Sequence, residues 1–214
     1  FVKFLNQLEL ISDQRLESLK KIKPIRSKPP EKKYISEKQF EEILSSVKRC
    51  PFTKEYDKNL LNTVLKSLYL LGIRINELCN INISDIDFEK QELFIPEPKG
   101  LRSFTRGFSL ELKNLWLEYK DIRPQNSELK FFLNKDGSPV KRDSLIQRFR
   151  RVTRKLGINT SFHALRRNYI TRQLEDGKSL LEVSLAVNHS SPLMTEKYIV
   201  PDKKKAIESQ KFWS

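Results

Sequence analysis

The sequence predicts an α+β domain that is mostly helical and contains a small three-stranded antiparallel sheet. Two observations lead to this prediction. Over most of the chain, apolar residues recur every three or four positions, which is the spacing of amphipathic helices. Between residues 84 and 110 the pattern changes to short apolar runs separated by turn residues, which is typical of strands. Helices beside one small antiparallel sheet define this fold class.

The predicted helices before the sheet have clear start and stop signals. Ser36 and Gln39 form a capping box that starts the first helix. The most apolar helix of the chain follows and must lie in the core. Gly72 ends it, because glycine readily takes the left-handed conformation of a helix stop. A second short helix over residues 73–78 is expected to begin at this sharp turn.

Arg74 directly follows the buried helix, so its aliphatic stem is expected to be partly buried. A buried guanidinium needs an anionic partner, and Glu77 is one helical turn away. From this segment alone, a structural ion pair between the two is the favoured interpretation.

The sheet is predicted over residues 85–88, 92–95 and 103–110. Lys99 lies in the turn between the last two strands. A lysine at such a tip is usually only solvated, but a flexible tip with a point charge can also reach into a neighbouring site. An amphipathic helix is expected over residues 110–120.

The charge of the chain indicates a polyanionic partner. Lys and Arg number 41 and Asp and Glu 27, which gives a net charge of +14. The basic residues cluster in residues 20–33 and 141–155, whereas a protein that is merely rich in lysine would spread them. The partner is most simply nucleic acid. A helix over residues 142–156 has an apolar face and a basic face that suits phosphates, although a solvated basic face is the alternative for this helix alone.

The densest group of reactive side chains lies between His163 and Tyr198. It contains both histidines of the chain, the second being His189, and the adjacent guanidiniums of Arg166 and Arg167. Guanidiniums clamp phosphate oxygens, imidazoles move protons near neutral pH, and a tyrosine can act as a covalent nucleophile. If these groups converge in space, they suit phosphoryl transfer through a phosphotyrosyl intermediate.

Three short helices are predicted within this stretch. Thr160 or Ser161 caps the first, which places His163 and the arginine three residues later on one face. Ser179 and Glu182 form the capping box of the second. That helix must stop at Asn188, since asparagine tolerates the left-handed conformation.

The remaining composition narrows the class of protein. Cys50 and Cys79 are too few for a disulfide framework and have no neighbouring histidine for a zinc site, so we expect reduced, buried thiols. The sequence shows no Gly-rich phosphate loop, no carboxylate pair spaced for a metal, no transmembrane run and no signal peptide. We therefore expect a cytoplasmic, nucleoid-associated protein with no cofactor and no metal.

Four segments, taken together, resemble the catalytic domain of the tyrosine recombinases, also called the phage integrase family. They occur in the family's order and are Leu71-Gly-Ile-Arg-Ile-Asn-Glu-Leu78, the hairpin Lys99-Gly100, His163-Ala-Leu-Arg166, and His189-Ser190 followed by Tyr198. Each motif alone is weak, but both histidines of the chain fall on matching positions. The likeness covers residues 36 to about 200. The chain departs from the family at Asn188, where glycine is frequent, and the hairpin is the loosest match.

The resemblance implies roles for four residues on the reacting phosphate. Tyr198 would attack it, leaving a 3′-phosphotyrosyl link and a free 5′-hydroxyl. Arg74 and Arg166 would hold the non-bridging oxygens and stabilise their developing charge. Lys99 would protonate the leaving 5′-oxygen.

The resemblance also implies supporting roles. His163 would assist proton transfer from the tyrosine, His189 would hydrogen-bond the phosphate, and Glu77 would orient Arg74. No metal or ATP would be needed, because the covalent link conserves the bond energy. Basic residues in three places would contact DNA. Arg102 and Arg106 follow the hairpin tip, and Arg167 directly follows Arg166. The others lie in or beside the helix over residues 142–156: Lys141, Arg142, Arg148 and Arg151.

The implied organisation has four parts. Residues 1–20 have helical spacing and either end a preceding core-binding DNA domain or pack on the same domain. Residues 21–35 form a basic linker, residues 36–200 the catalytic domain, and residues 201–214 a tail helix that docks either on this chain or on a neighbouring subunit. Because the chain begins with Phe, we expect a fragment that lacks most of the N-terminal DNA clamp.

The favoured function is a site-specific recombinase or integrase that acts as a tetramer on two double-stranded DNA sites. One alternative is a monomeric DNA-relaxing enzyme of the type IB topoisomerase kind, which shares this chemistry. Another is a catalytically inactive DNA-binding relative, although functional residues at all five matching positions argue against decay. A generic RNA-binding protein lacks support, since no strand motif rich in aromatic residues is present.

Overall fold

A computed structural model describes residues 35–50, 54–96, 103–126, 128–189 and 192–196. The helices within these ranges are α1 (Glu37–Arg49), α2 (Glu55–Leu71), α3 (Ile75–Asn80), α4 (Leu110–Ile122), α5 (Arg142–Lys155), α6 (Phe162–Glu175), α7 (Leu180–Ala186) and α8 (Leu193–Glu196). The strands are β1 (Ile86–Asp87), β2 (Glu92–Ile95) and β3 (Phe104–Gly107), and a 3₁₀ turn, Ile83–Asp85, precedes β1. The mostly helical α+β class is thus confirmed.

The predicted signals at α1 and at the end of α2 are confirmed. The Ser36 hydroxyl accepts the Gln39 N–H at 3.2 Å, and the Gln39 side chain accepts the Ser36 N–H at 3.0 Å. Gly72 ends α2 with φ +63°. A Cβ added at Gly72 would collide with the ring of Tyr169 on α6. Glycine therefore permits both the turn and the close approach of α6 to this turn.

The sheet is antiparallel, with strand order β1-β2-β3. Leu93 of β2 pairs with Ile86 on one side and with Arg106 on the other. Along β2 the burial alternates, so Leu93 and Ile95 face the core while Phe94 is largely exposed. This alternation arises because successive side chains of a strand point to opposite faces of the sheet.

The core is built around α2, which packs against α1, α4 and α6. Trp116 of α4 is fully buried, and its indole N–H donates to the Ser67 hydroxyl at 2.8 Å. Its ring lies against Phe131, which is also fully buried. A buried indole with a satisfied donor fixes helix positions firmly. The rigid core thus holds the end of α2, where the functional residues begin.

The helices α6, α7 and α8 carry the histidine and arginine motifs. Tyr169, Ile170, Val183 and Val187 form a small apolar cluster that joins α6 to α7. The predicted capping box of α7 is confirmed: the Ser179 hydroxyl accepts the Glu182 N–H, and the Glu182 carboxylate accepts the Ser179 N–H. Ser161 is the N-cap residue of α6, although its hydroxyl makes no capping hydrogen bond.

Asn188 has φ +48°, so the predicted left-handed stop after α7 is also confirmed. Both cysteines are free thiols, and burial raises the pKa of Cys79 to about 11. None of the described helices is long and apolar enough to cross a membrane. The segments predicted at residues 1–20 and 201–214 and nearly all of the linker lie outside the described residues, so these domain boundaries stay predictions.

Candidate active site

Arg74 lies at the turn between α2 and α3. It is the extended N-cap residue of α3, which begins two residues later than the sequence predicted. The Glu77 carboxylate holds Arg74 in this N-cap position, since it accepts hydrogen bonds from the Arg74 backbone N–H at 2.6 Å and from the Arg74 guanidinium at 2.7 Å. The Glu77 side chain is 4% exposed and that of Arg74 is 34% exposed. The expected ion pair is therefore present, and it holds a guanidinium that still reaches the surface.

Arg166 of α6 approaches the same turn from the opposite side. It is 3% exposed and donates to the Gly72 carbonyl at 2.8 Å. Its guanidinium is 4.0 Å from the second carboxylate oxygen of Glu77. One buried carboxylate thus faces two guanidiniums, which leaves one net positive charge at this point. Such a charge is stabilised by an anion that supplies further hydrogen bonds.

Three guanidiniums meet the last turn of α7. The consecutive carbonyls of residues 186–188 accept hydrogen bonds from Arg106, Arg166 and Arg74 respectively, the last at 3.4 Å. Carbonyls at a helix C-terminus lack partners within the helix and carry the negative end of its dipole. Asn188, with φ +48°, is the last of these three residues and ends the turn in the left-handed conformation. We call residues 186–188 the carbonyl turn.

The two histidines lie close to these arginines. Burial, together with the nearby charges of Arg166 and Arg74, lowers the pKa of His189 to about 4. The pKa of His163 is lowered by burial and then by the charges of Arg167 and Arg166. Although much of the His163 side chain is exposed, enough atoms crowd the ring for burial to dominate. Both imidazoles are therefore neutral at pH 7.

The cluster opens into a cleft of about 960 Å³ between the α3 turn, α5 and the start of α6. One wall carries Arg74, His163 and Arg166. The facing wall carries Arg142, Arg150 and Arg154 of α5. Few acidic residues offset them, because the described lining of this cleft includes no Asp or Glu. The cleft suits a polyanion that enters along α5 and reaches the two arginines.

The structure brings only some of the predicted DNA-contact residues to this cleft. Arg142 lines it, and Lys141 is exposed immediately before α5. Arg167 is partly buried beside His163, whose pKa it lowers. Arg148 and Arg151 line a different cleft, of about 570 Å³, between α1, α2 and the other side of α5. Arg148 also forms an ion pair with Asp57 at 3.1 Å.

Arg106 corrects an expectation made from the sequence. It was predicted to face DNA, but it is 7% exposed and donates to the Ala186 carbonyl. Its guanidinium also lies 4.6 Å from the ring centre of Tyr169. Burial lowers its pKa. The inward register of β3 turns this side chain away from solvent, so Arg106 joins the sheet to the carbonyl turn.

Sequence reasoning missed Arg150 and Arg154 on the cleft wall. A signal for them exists, because residues 142, 146, 150 and 154 are spaced by four and share one helix face. Applied from Arg142, this spacing selects both arginines and rejects Arg148 and Arg151. Thr195 was missed as well. Its hydroxyl is 2.8 Å from Nδ1 of His189, and no pattern in the neighbouring sequence predicts that contact.

Three predicted site residues lie outside the described residues: Lys99, Arg102 and Tyr198. Among the described residues, no group of three His, Cys, Asp or Glu side chains is placed to hold a metal ion.

Two arginines on one carboxylate, two neutral imidazoles and a basic cleft define a domain whose site suits a phosphodiester. Residues 33–205 match the model of the phage integrase family, so the chain belongs to that family. The resemblance noted from the motifs is thereby confirmed.

Among curated relatives, the chain is 27% identical to the tyrosine recombinase XerA of Thermococcus onnurineus over 191 residues. The match covers 87% of this chain and 63% of that relative, so the chain spans less than two thirds of the relative's length.

The fold is similar to solved structures of the same kind. The crystal structure of XerA recombinase has a TM-score of 0.70 at 18% identity, covering 97% of this chain and 79% of that chain. The Tn1549 transposon integrase, in complex with transposon right end DNA, has a TM-score of 0.71 at 18% identity, covering 92% and 70%. The predicted tyrosine-recombinase catalytic-domain fold is thus confirmed.

Proposed function

We propose that this chain is the catalytic domain of a site-specific DNA recombinase or integrase, which cleaves and rejoins DNA through a 3′-phosphotyrosyl intermediate. One observation carries the proposal. Arg74 and Arg166, 92 residues apart in sequence (166 − 74), converge on the Glu77 carboxylate and line the cleft beside His163. Membership of the phage integrase family and the DNA complex of the similar Tn1549 integrase support it.

In the proposed reaction the Tyr198 oxygen forms a bond to phosphorus while the bond from phosphorus to the 5′-oxygen breaks. The phenolic proton passes to His163, and Lys99 gives a proton to the leaving 5′-oxygen. Arg74 and Arg166 bind the non-bridging oxygens, whose negative charge grows in the transition state. The reverse step, with a 5′-hydroxyl of another strand as nucleophile, rejoins the DNA without metal or ATP.

The lowered histidine pKa values agree with these roles. A general base must be unprotonated before it accepts the phenolic proton, and burial together with the neighbouring arginine charges keeps His163 in that state by lowering its pKa. A neutral His189 carries one N–H, which suffices to donate to a phosphate oxygen. Glu77 acts behind Arg74 by fixing both its backbone N–H and its guanidinium.

The proposed DNA surface is the cleft wall of α5. Arg142, Arg150 and Arg154 lie on one face of the helix and reach the cleft, with Lys141 beside them. We also propose DNA contacts for Arg102, which follows the hairpin tip in sequence, and for Arg167 of α6. Phosphate contacts of this kind position DNA without reading its sequence, so the target site depends on other residues.

The proposed assembly is a tetramer on two double-stranded DNA sites in the nucleoid, with residues 201–214 exchanged between neighbours. Under this proposal a single copy binds and cleaves one half-site, whereas strand exchange needs partner copies.

A covalent trapping assay tests the proposal. The chain and its Tyr198→Phe variant are incubated with nicked double-stranded DNA in the presence of a metal chelator. The DNA carries the end sequences of the genetic element that encodes the chain. We expect a protein–DNA adduct on a denaturing gel for the parent chain and none for the variant, which loses one oxygen and keeps DNA binding. An adduct formed equally by Tyr198→Phe, or no adduct from the full-length protein that contains this chain, would contradict the proposal.

A further inference from the structure

Thr195 contacts the side chain of His189 in the described structure. The Thr195 side chain is 0% exposed, and its hydroxyl is 2.8 Å from Nδ1 of His189. A buried hydroxyl without a partner is costly, so this bond also satisfies Thr195. Thr195 is uncharged, and neither the sequence motifs nor the proposed reaction gives it a role.

We propose that Thr195 is a positioning residue that fixes the ring orientation and the proton position of His189. This inference rests on the proposed function, in which His189 donates a hydrogen bond to the reacting phosphate. The Thr195 hydroxyl donates to Nδ1, so that the single proton of the neutral ring resides on Nε2, on the opposite side.

The direction of the bond follows from the chemistry of a neutral imidazole. Such a ring carries a proton on one nitrogen and a lone pair on the other. If Nδ1 carried the proton, Nε2 would be an acceptor, and an acceptor facing an anionic phosphate is repelled. Nδ1 must therefore accept, and the hydroxyl of Thr195 is a donor within reach. The cationic groups near the ring, Arg166 and Arg74, disfavour a second proton on it.

The location of Thr195 gives the contact a second consequence. Thr195 belongs to α8, whereas His189 directly follows the carbonyl turn that binds Arg74 and Arg166. Tyr198 comes three residues after Thr195 in sequence (198 − 195). The hydrogen bond therefore ties the segment that leads to the nucleophile to the turn that orients the phosphate-binding arginines.

Two substitutions distinguish the effect of losing the hydroxyl from the effect of changing the side-chain volume. Thr195→Val keeps the shape and removes the donor, whereas Thr195→Ser keeps the donor and removes the methyl group. Both variants are checked for thermal unfolding beside the parent chain. Because the chain has two histidines, the imidazole ¹⁵N signals of His189 are assigned by comparison with His163→Gln.

The first readout is the His189 tautomer in the DNA-free chain, measured by ¹⁵N NMR. We expect a protonated Nε2 and an accepting Nδ1 in the parent and in Thr195→Ser, and averaged signals from more than one state in Thr195→Val. A protonated Nδ1 in the parent, or an unchanged His189 spectrum in Thr195→Val, would overturn the inference.

The second readout is the single-turnover cleavage rate on nicked DNA. Loss of one orienting hydrogen bond should slow Thr195→Val by about 10-fold, and Thr195→Ser should stay within about 3-fold of the parent. Equal losses in both variants would show that packing, rather than the hydroxyl, matters. If neither the parent chain nor the full-length protein that contains it forms an adduct, the proposed function fails, and the NMR comparison still decides whether Thr195 sets the tautomer.

Discussion

Arg166 and Arg106 are both buried arginines, and they donate to adjacent carbonyls of the same turn. Arg166 binds the Val187 carbonyl, lies 4.0 Å from Glu77 and lines the cleft. Arg106 binds the Ala186 carbonyl and lies over the Tyr169 ring, away from the described lining of the cleft. Burial alone therefore does not distinguish the arginine that we propose to bind phosphate from the structural one. The distinguishing features are access to the cleft and a shared carboxylate.

The largest expected effect is on cleavage in Arg166→Ala. Removal of a guanidinium that stabilises the transition state should lower the single-turnover cleavage rate by at least about 100-fold. DNA binding should weaken only modestly, because the other cleft arginines remain. Adduct formation on nicked DNA measures the rate, and a gel-shift titration measures the binding. Adduct at the parental rate would remove Arg166 from the proposed mechanism.

Arg106→Met should produce the opposite profile. The substitution leaves the Ala186 carbonyl without its guanidinium donor and removes the contact with Tyr169, so we expect a loss of about 2 kcal/mol in the free energy of unfolding. Urea unfolding of the DNA-free chain measures this loss. At a temperature where both chains are folded, cleavage should fall by less than about 10-fold. A 100-fold loss of cleavage with unchanged stability would assign Arg106 to the reaction instead.

A third kind of arginine, on the surface of α5, extends the comparison. Arg150→Gln with Arg154→Gln removes two cleft cations, and Arg148→Gln with Arg151→Gln removes two from the opposite side. If the cleft pair contacts phosphates, the slope of log affinity against log salt should become shallower by about 2 in the first double variant. The second double variant is the matched control and should keep the parental slope. Equal changes in the two would refute the assignment of DNA to the cleft face.

The smallest expected effect concerns Asn188, the last residue of the carbonyl turn, whose carbonyl binds Arg74. Asn188 holds φ +48°, which a β-carbon disfavours and glycine accepts. Asn188→Ala should therefore lower the free energy of unfolding by about 1 kcal/mol, while Asn188→Gly should change it by less than about 0.5 kcal/mol. Thermal unfolding compares the two. A more damaging glycine than alanine would show that the Asn188 side chain, rather than its backbone angle, stabilises the turn.

Local features of the fold were predictable because their causes are local. The capping boxes at Ser36 and Ser179 are contacts between residues three apart, and Gly72 and Asn188 take conformations that their own side chains permit. The strands were predicted from short apolar runs between turn residues, which are also local features of the sequence. The pairing of Arg74 with Glu77 was also within reach, since the two are one helical turn apart.

The environments of the long side chains were less predictable. Arg106 follows the hairpin tip in sequence and carries a charge, which suggested a surface residue. Its burial depends on the register of β3 and on the position of α7, 80 residues further on. The same limit applies to Thr195, whose importance arises only once α8 places its hydroxyl on His189.

The sequence by itself determined the family, the fold class and the types of reactive side chain, because motif order, helix caps and periodicity are properties of neighbouring residues. Only the tertiary structure decided which arginines share the site. Arg74 reaches a carbonyl 114 residues away and Arg166 one that is 94 residues away, and both contacts depend on how α2 and α6 pack at Gly72. Burial, and with it the cost of leaving a charge or a carbonyl without a partner, is set by that packing.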